Sequence, residues 1–195
     1  MENNPLEMTE TGDARASRLN TWVAITVALL ATFIGVTKVK DDNIVQAMQQ
    51  AQADKLDDWA FYQARNIREE IARAELSSLE IERGASSPVR HAAYDTVISR
   101  YQALEEEQAT KKRALQEKAE QDQKTYDALN YRDDQFDLAD ALLAIAISML
   151  ALTSLTRKRW LFWVAMVPTA FGLLMGLAGL FSWHVHPNAI ASLLS

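Results

Sequence analysis

No cysteine occurs in the 195-residue chain, so disulfides, thiolate metal sites and a cysteine nucleophile are excluded and stability must come from packing. Glycine and proline are scarce, at 6 and 4 residues, and neither occurs between residues 41 and 83. That stretch is instead rich in Ala, Gln, Glu, Leu and Arg, the composition of a long unbroken helix. Positive charge is in the minority, with 20 Lys and Arg against 26 Asp and Glu and a net charge of −6. A nucleic-acid partner needs a clustered positive surface and is not expected. Phosphate loops, nucleophile elbows and His-Glu-x-x-His spacings are also missing. The sequence therefore points to no catalytic residue, no cofactor, no metal site and no enzyme.

Charge is itself absent from three stretches, and most charged residues fall between residues 41 and 132. A helix of about 20 apolar residues crosses a hydrocarbon core of about 30 Å. The pattern predicts a polar tail over 1–18 and a first membrane span over 19–39, uncharged up to Thr37. This span reads as an uncleaved anchor, because its polar leader is long and no small-residue cleavage site follows it. A second span covers 137–156 and a third 160–183, joined by the short basic loop 157–159. Trp160, Trp163 and Trp183 are placed for the interfaces, and Pro168 is expected to kink the third span. Arg157, Lys158 and Arg159 are the topology marker, since short Lys/Arg-rich loops stay in the cytoplasm. The N-terminus is then cytoplasmic, and the segment between the first two spans and the C-terminal tail 184–195 are periplasmic or otherwise extracytoplasmic.

Residues 40–136 read as an extramembrane antiparallel helical hairpin, coiled-coil-like, turning at about 84–88, where Gly84 suits a helix end and Ser87-Pro88 a helix start. Its first arm carries a stripe of Ile44, Met48, Ala51, Leu56, Trp59, Ile67, Ile71, Ala74 and Ser78. Its second arm carries Val97, Tyr101, Leu104, Gln108, Lys111, Leu115, Ala119, Asp122, Tyr126, Leu129, Asp133 and Phe136 at steps of three and four. Polar residues in that seam weaken a lone pair of helices, so the hairpin is expected to gain stability by self-association into a homo-oligomer.

Small residues recur at helical spacing in every span: Ala24, Ala28, Ala31 and Gly35; Ala141, Ala144, Ser148 and Ala151; Gly172, Gly176 and Gly179. Such faces let helix backbones approach closely in lipid, and they are the expected helix-packing sites. Asp137 and Asp140 share a helical face at the membrane entrance, where two readings stand: the polar end of a span, or a contact for a cation or lipid headgroup. His184 and His186 read as solvated interfacial residues, since no third ligand accompanies them. No ionisable residue lies deep within a span, which argues against a proton or ion carrier.

The strings Trp22-Val23-Ala24-Ile25-Thr26-Val27, Lys38-Val39-Lys40-Asp41-Asp42-Asn43-Ile44 and Trp59-Ala60-Phe61-Tyr62-Gln63-Ala64-Arg65 resemble a family of bacterial membrane proteins catalogued as domain of unknown function 4337. The resemblance implies a bacterial inner-membrane location and brings no activity, cofactor or catalytic residue. The expected fold is an all-α membrane protein with membrane lipid and further copies of itself as partners. Two functions are compatible with it: a scaffold or interaction protein with a projecting helical bundle, or a subunit-built pore or accessory chain docked on another membrane protein.

Overall fold

The computed structural model describes residues 5–183, with side chains described from residue 17 onward. The chain is all-helical, and no strand occurs among the described residues. Helix α1 runs Pro5–Ala85 and α2 runs His91–Thr156, with a 3-10 turn at Pro88–Arg90 between them, and α3 runs Arg159–Phe181. Each helix contains a stretch long and apolar enough to cross a membrane. The expected continuation of the second arm into the second apolar stretch holds, because α2 is unbroken from His91 to Thr156.

The helix ends depart from expectation in one respect. Gly84 does not terminate α1 through a left-handed conformation; no glycine has positive φ among the described residues, and α1 continues to Ala85. Termination comes from Ser87, held extended at φ −71° and ψ 150° by the following Pro88. Ser86 satisfies the last turn, its Oγ donating to the Arg83 carbonyl at 2.9 Å. The other two ends use left-handed residues that are not glycine. Arg157 takes φ 54° after α2, and Ser182 takes φ 56° after α3 while the Trp183 N–H donates to the Ala178 carbonyl at 2.8 Å. Pro168 lies inside α3, which continues through it.

The chain divides into two compact units, residues 47–127 and residues 1–46 with 128–195. In the 47–127 unit, side chains of α1 meet those of α2 at positions that advance along one helix and retreat along the other. Lys55 donates to Gln123 at 2.7 Å, Arg65 to Gln108 at 3.0 Å and Arg73 to Glu105 at 3.0 Å, and Arg83 pairs with Asp95 at 2.6 Å. The inward positions of α1 are Ala51, Lys55, Asp58, Tyr62, Arg65, Glu69, Ala72 and Leu76, spaced alternately by four and three. Half of these carry charge. The seam is thus a ladder of ion pairs and hydrogen bonds interrupted by small and apolar residues.

This register corrects the expected stripes. On α1, Ala51 faces inward, whereas Leu56, Ile67, Ile71, Ala74 and Ser78 face out, with Ile67 59% and Ile71 61% exposed. On α2, Tyr101, Gln108, Leu115, Ala119, Asp122 and Tyr126 keep their places, but Val97, Leu104 and Lys111 give way to Ile98, Glu105 and Lys112. The physical reason is that buried charges demand partners. Glu105 and Lys112 satisfy Arg73 and Glu69, and turning Val97 and Leu104 inward would leave those ions unpaired.

Glu69 is the centre of the ladder. Its carboxylate is buried, with Oε2 2.6 Å from Lys112 Nζ and Oε1 2.8 Å from Arg73 Nη2. Lys112 also donates to Asn66 at 3.1 Å and lies 5.9 Å over the Tyr62 ring. The Lys112 hydrogen bond and charge, with Arg73 behind them, hold the Glu69 carboxyl below its ordinary range against the opposing effect of burial. Because the folded-state value is depressed, the stabilisation is present above the ordinary carboxylate range and is lost as pH falls through the lowered value. Glu69→Ala is expected to lower unfolding stability by about 1 to 2 kcal/mol at neutral pH, after allowance for solvent screening. Denaturant unfolding at several pH values checks this, and the gap between variant and parent should narrow in acid.

Candidate functional site

The second unit, residues 1–46 with 128–195, packs the first part of α1 and the last part of α2 against α3. Its apolar core contains Val23, Leu30, Leu143, Ala146, Leu150 and Ala165. Three glycines on one face of α3 act as notches for large side chains. An added Cβ would lie 2.8 Å from Leu143 at Gly172, 2.6 Å from Phe33 at Gly176 and 2.8 Å from Phe136 at Gly179, distances real Cβ atoms do not tolerate. The sequence-derived packing residues Gly172, Gly176 and Gly179 therefore lie in tight contacts within one chain.

The other small-residue faces are placed differently. Ala141 is half-buried, while Ala144, Ser148 and Ala151 are exposed; the side of α2 turned inward carries Leu143, Ala146, Leu150 and Thr153. Ala24, Ala28, Ala31 and Gly35 on α1 also face outward, and nothing lies within 4 Å of a Cβ built at Gly35. A small residue is needed only where a bulky partner enters, and here α3 alone provides the notches. Near the basic end a polar contact joins the other two helices, Ser154 Oγ donating to Asn20 Oδ1 at 3.3 Å.

Charge collects at opposite ends of the apolar segments. At one end stand Arg18, Arg157, Lys158 and Arg159, all exposed. At the other, Asp41, Asp133, Asp134, Asp137 and Asp140 gather with Lys38 and Arg132. Asp41 is 3% exposed; its Oδ2 accepts from Lys38 Nζ at 2.7 Å, and its buried Oδ1 has no hydrogen-bond donor. Asp133 lies within hydrogen-bonding reach of Asp41, and its carboxyl is pushed up to about 6, first by burial, then by Asp41 and the neighbouring charges of Asp137 and Asp134. The chemistry fits a carboxyl–carboxylate pair in which a proton on Asp133 is donated to Asp41. Asp137 is exposed and Asp140 half-buried beside this pair. No group of three metal-capable side chains occurs among the described residues.

Two α2 residues that the sequence did not single out tie down the end of α3. Arg132 Nη2 donates to the Gly179 carbonyl at 3.0 Å, and Gln135 Nε2 to the Trp183 carbonyl at 2.8 Å. A guanidinium suits the partial negative charge of a helix C-terminus. In the sequence Asp133 stands out only as a polar residue in the seam, and its spacing of four from Asp137 and seven from Asp140 is the available signal. Asp41 gave no such signal, because its partner lies far away in the chain. His184 and His186 fall outside the described residues.

A family model described as a domain of unknown function (DUF4337) matches residues 19–182. The chain belongs to the DUF4337 family. Within the DUF4337 match lie the three apolar stretches, the acidic pair, the ion-pair ladder and the glycine notches. No curated protein and no solved structure matches the chain.

Two outcomes are expected at this end. A carboxyl whose folded-state value is raised favours the folded state while it stays protonated, and that advantage is lost as pH rises through about 6. Asp133→Asn, which keeps a donor for Asp41 without titrating, should gain about 1 kcal/mol over the parent above that range, allowing for partial exposure, and lose its advantage in acid. Thermal unfolding in detergent across pH checks it. Gly176→Leu drives a side chain into Phe33 and should lower the unfolding temperature, at a cost of about 1 to 3 kcal/mol; Gly35→Leu, in open space, serves as the control in the same measurement.

Proposed function

We propose that this DUF4337 chain is a non-catalytic, homo-oligomeric scaffold of the bacterial inner membrane. The three apolar helical stretches span the bilayer, and residues 47–127 form an extramembrane coiled-coil hairpin that packs against its copies. The observation that carries this is an outward stripe on α1: Ala60, Ala64, Ile67, Ile71, Ala74, Ser78 and Ile81 step alternately by four and three, and all are exposed. The hairpin's own seam is polar, while its heptad of aliphatic and small residues faces away from it. A helix that spends charge on its partner and leaves isoleucine in water has a second partner in another chain.

A second copy fits that role through α2. Its outward face presents Val97, Arg100, Leu104 and Glu107 around a groove of about 620 Å³. The ladder fixes which residues lie level with one another, Arg73 with Glu105 and Arg83 with Asp95. On that register Arg68 and Glu75 of one copy stand level with the neighbourhoods of Glu107 and Arg100 of the next, opposite charges in both cases. Ala74 stands level with Leu104, and Ile71 lies within about one turn of it. This is a head-to-tail contact, which closes a ring where the rotation between copies closes and otherwise extends as an open array.

The charge segregation supports an orientation with Arg18, Arg157, Lys158 and Arg159 in the cytoplasm and residues 47–127 outside it. Tags at the two termini should report opposite compartments, and washed membranes should retain the protein in alkaline carbonate. The docking is tested with engineered cysteines, which the chain otherwise lacks. Ile71→Cys with Leu104→Cys in one chain should oxidise to a ladder of multimers in membranes, whereas each single variant should stay monomeric on the gel. Dimers from Ile71→Cys alone would replace this contact with a symmetric one. A monodisperse monomer in mild detergent and in nanodiscs would remove self-association altogether.

A further inference from the structure

The basic end of the helical bundle holds a groove of about 540 Å³ between the start of the α1 apolar stretch and the start of α3, within the size range of small-ligand sites. Arg18 of α1 and Arg159 of α3 both line it. Neither guanidinium forms an ion pair with a carboxylate among the described residues, and none of residues 17–37 or 141–183 is acidic. Lys158 adds a further positive charge beside them. The cavity therefore has the electrostatics of an anion site, with two planar fork donors of the kind that bind phosphate oxygens.

The rest of the lining is apolar and aromatic. Trp22 and Trp163 are 63% and 71% exposed at its rim, and Phe162 and Met166 continue its wall along α3. A free phosphate ion would use the arginines and leave that wall in contact with nothing. An amphiphile whose phosphate sits between two arginines and whose hydrocarbon runs along the helices uses all of it. Exposed tryptophans mark the depth at which a headgroup joins its chains, and basic pockets between helices on the cytoplasmic side suit anionic headgroups.

We propose that this groove binds one anionic phospholipid, its phosphodiester held by Arg18 and Arg159 and its acyl chain lying along Phe162 and Met166. The inference rests on the reading that these helices lie in a bilayer. Binding is reversible and electrostatic at the head, so it selects for net negative charge and spans the gap between α1 and α3 without any covalent step.

The test uses the full chain purified in a mild non-ionic detergent, with phosphatidylglycerol and phosphatidylcholine offered in equal amounts and retained lipid read by native mass spectrometry. Phosphatidylglycerol should be retained preferentially and should raise the unfolding temperature, whereas inorganic phosphate in excess should not. Arg18→Gln with Arg159→Gln should weaken phosphatidylglycerol retention about tenfold or more, and Lys158→Gln, which removes a neighbouring charge that does not line the groove, should leave it nearly unchanged. Equal retention of the two lipids, an equal loss in Lys158→Gln, or a phosphate effect as large as the lipid effect would each overturn the proposal. Carbonate extraction scores membrane insertion separately, so lost selectivity in a protein that stays in the membrane pellet counts against this site alone.

Discussion

Glu69, clamped between Lys112 and Arg73, sets the terms for residues 47–127. A buried carboxylate admits few arrangements, because parting it from its cations strands an uncompensated charge. The pairing of Lys55, Arg65 and Arg73 with Gln123, Gln108 and Glu105 follows in one register, and a slip of a single position along either helix would break all three. Hydrophobicity alone would not be so exacting, since leucines in a seam accept neighbouring registers at small cost. The ladder thus gives specificity, and its consequence is spatial: with polar groups committed inward, the isoleucines of α1 have only the outside left to occupy. The outward stripe is the complement of the ladder on the same helix.

The other unit solves the opposite problem. Its inward residues in the stretches suited to a bilayer are apolar, small or threonines bonded within their own helices, and there hydrophobicity supplies no drive between helices and close contact must do so. Each glycine of α3 at 172, 176 and 179 admits a large group from a neighbouring helix: a leucine, then two phenylalanines. These contacts are shape-specific in the way the ladder is charge-specific. Polar bonds are kept to the margins, at Asn20 with Ser154 and at Arg132 and Gln135 with the α3 C-terminus.

Much of this was legible from residue type. Uncharged length identified the three apolar helices, and Pro88 marked the start after the break, because both signals act locally on the backbone. The α3 glycines were legible as a spacing, although not their partners. The inner and outer faces of residues 47–127 were not, for a physical reason: periodicity methods assume that apolar residues face the partner helix, and here the partner is met with charge. Val97 and Leu104 drew the expected seam one position away from Ile98 and Glu105, and the correct choice depended on Arg73, a residue on another helix. Gly84 misled in a simpler way, since a glycine near a helix end is taken for its cap even when a proline a few residues on does the terminating.

The two charged ends of the apolar segments are unlike in kind as well as in sign. At the acidic end the charges face one another: Asp41 is buried against Lys38, and Asp133 beside it holds its proton up to about pH 6. Repulsion among these carboxyls is eased in part, by Lys38 and by protonation of Asp133 in mild acid. At the basic end Arg18, Lys158 and Arg159 are exposed, and residues 17–37 and 141–183 contain no acid. A positive field of this kind attracts solvent ions and anionic headgroups. A helical bundle with acid at one end and base at the other is polar along its length, and a membrane whose two faces differ in charge acts unequally on its two ends.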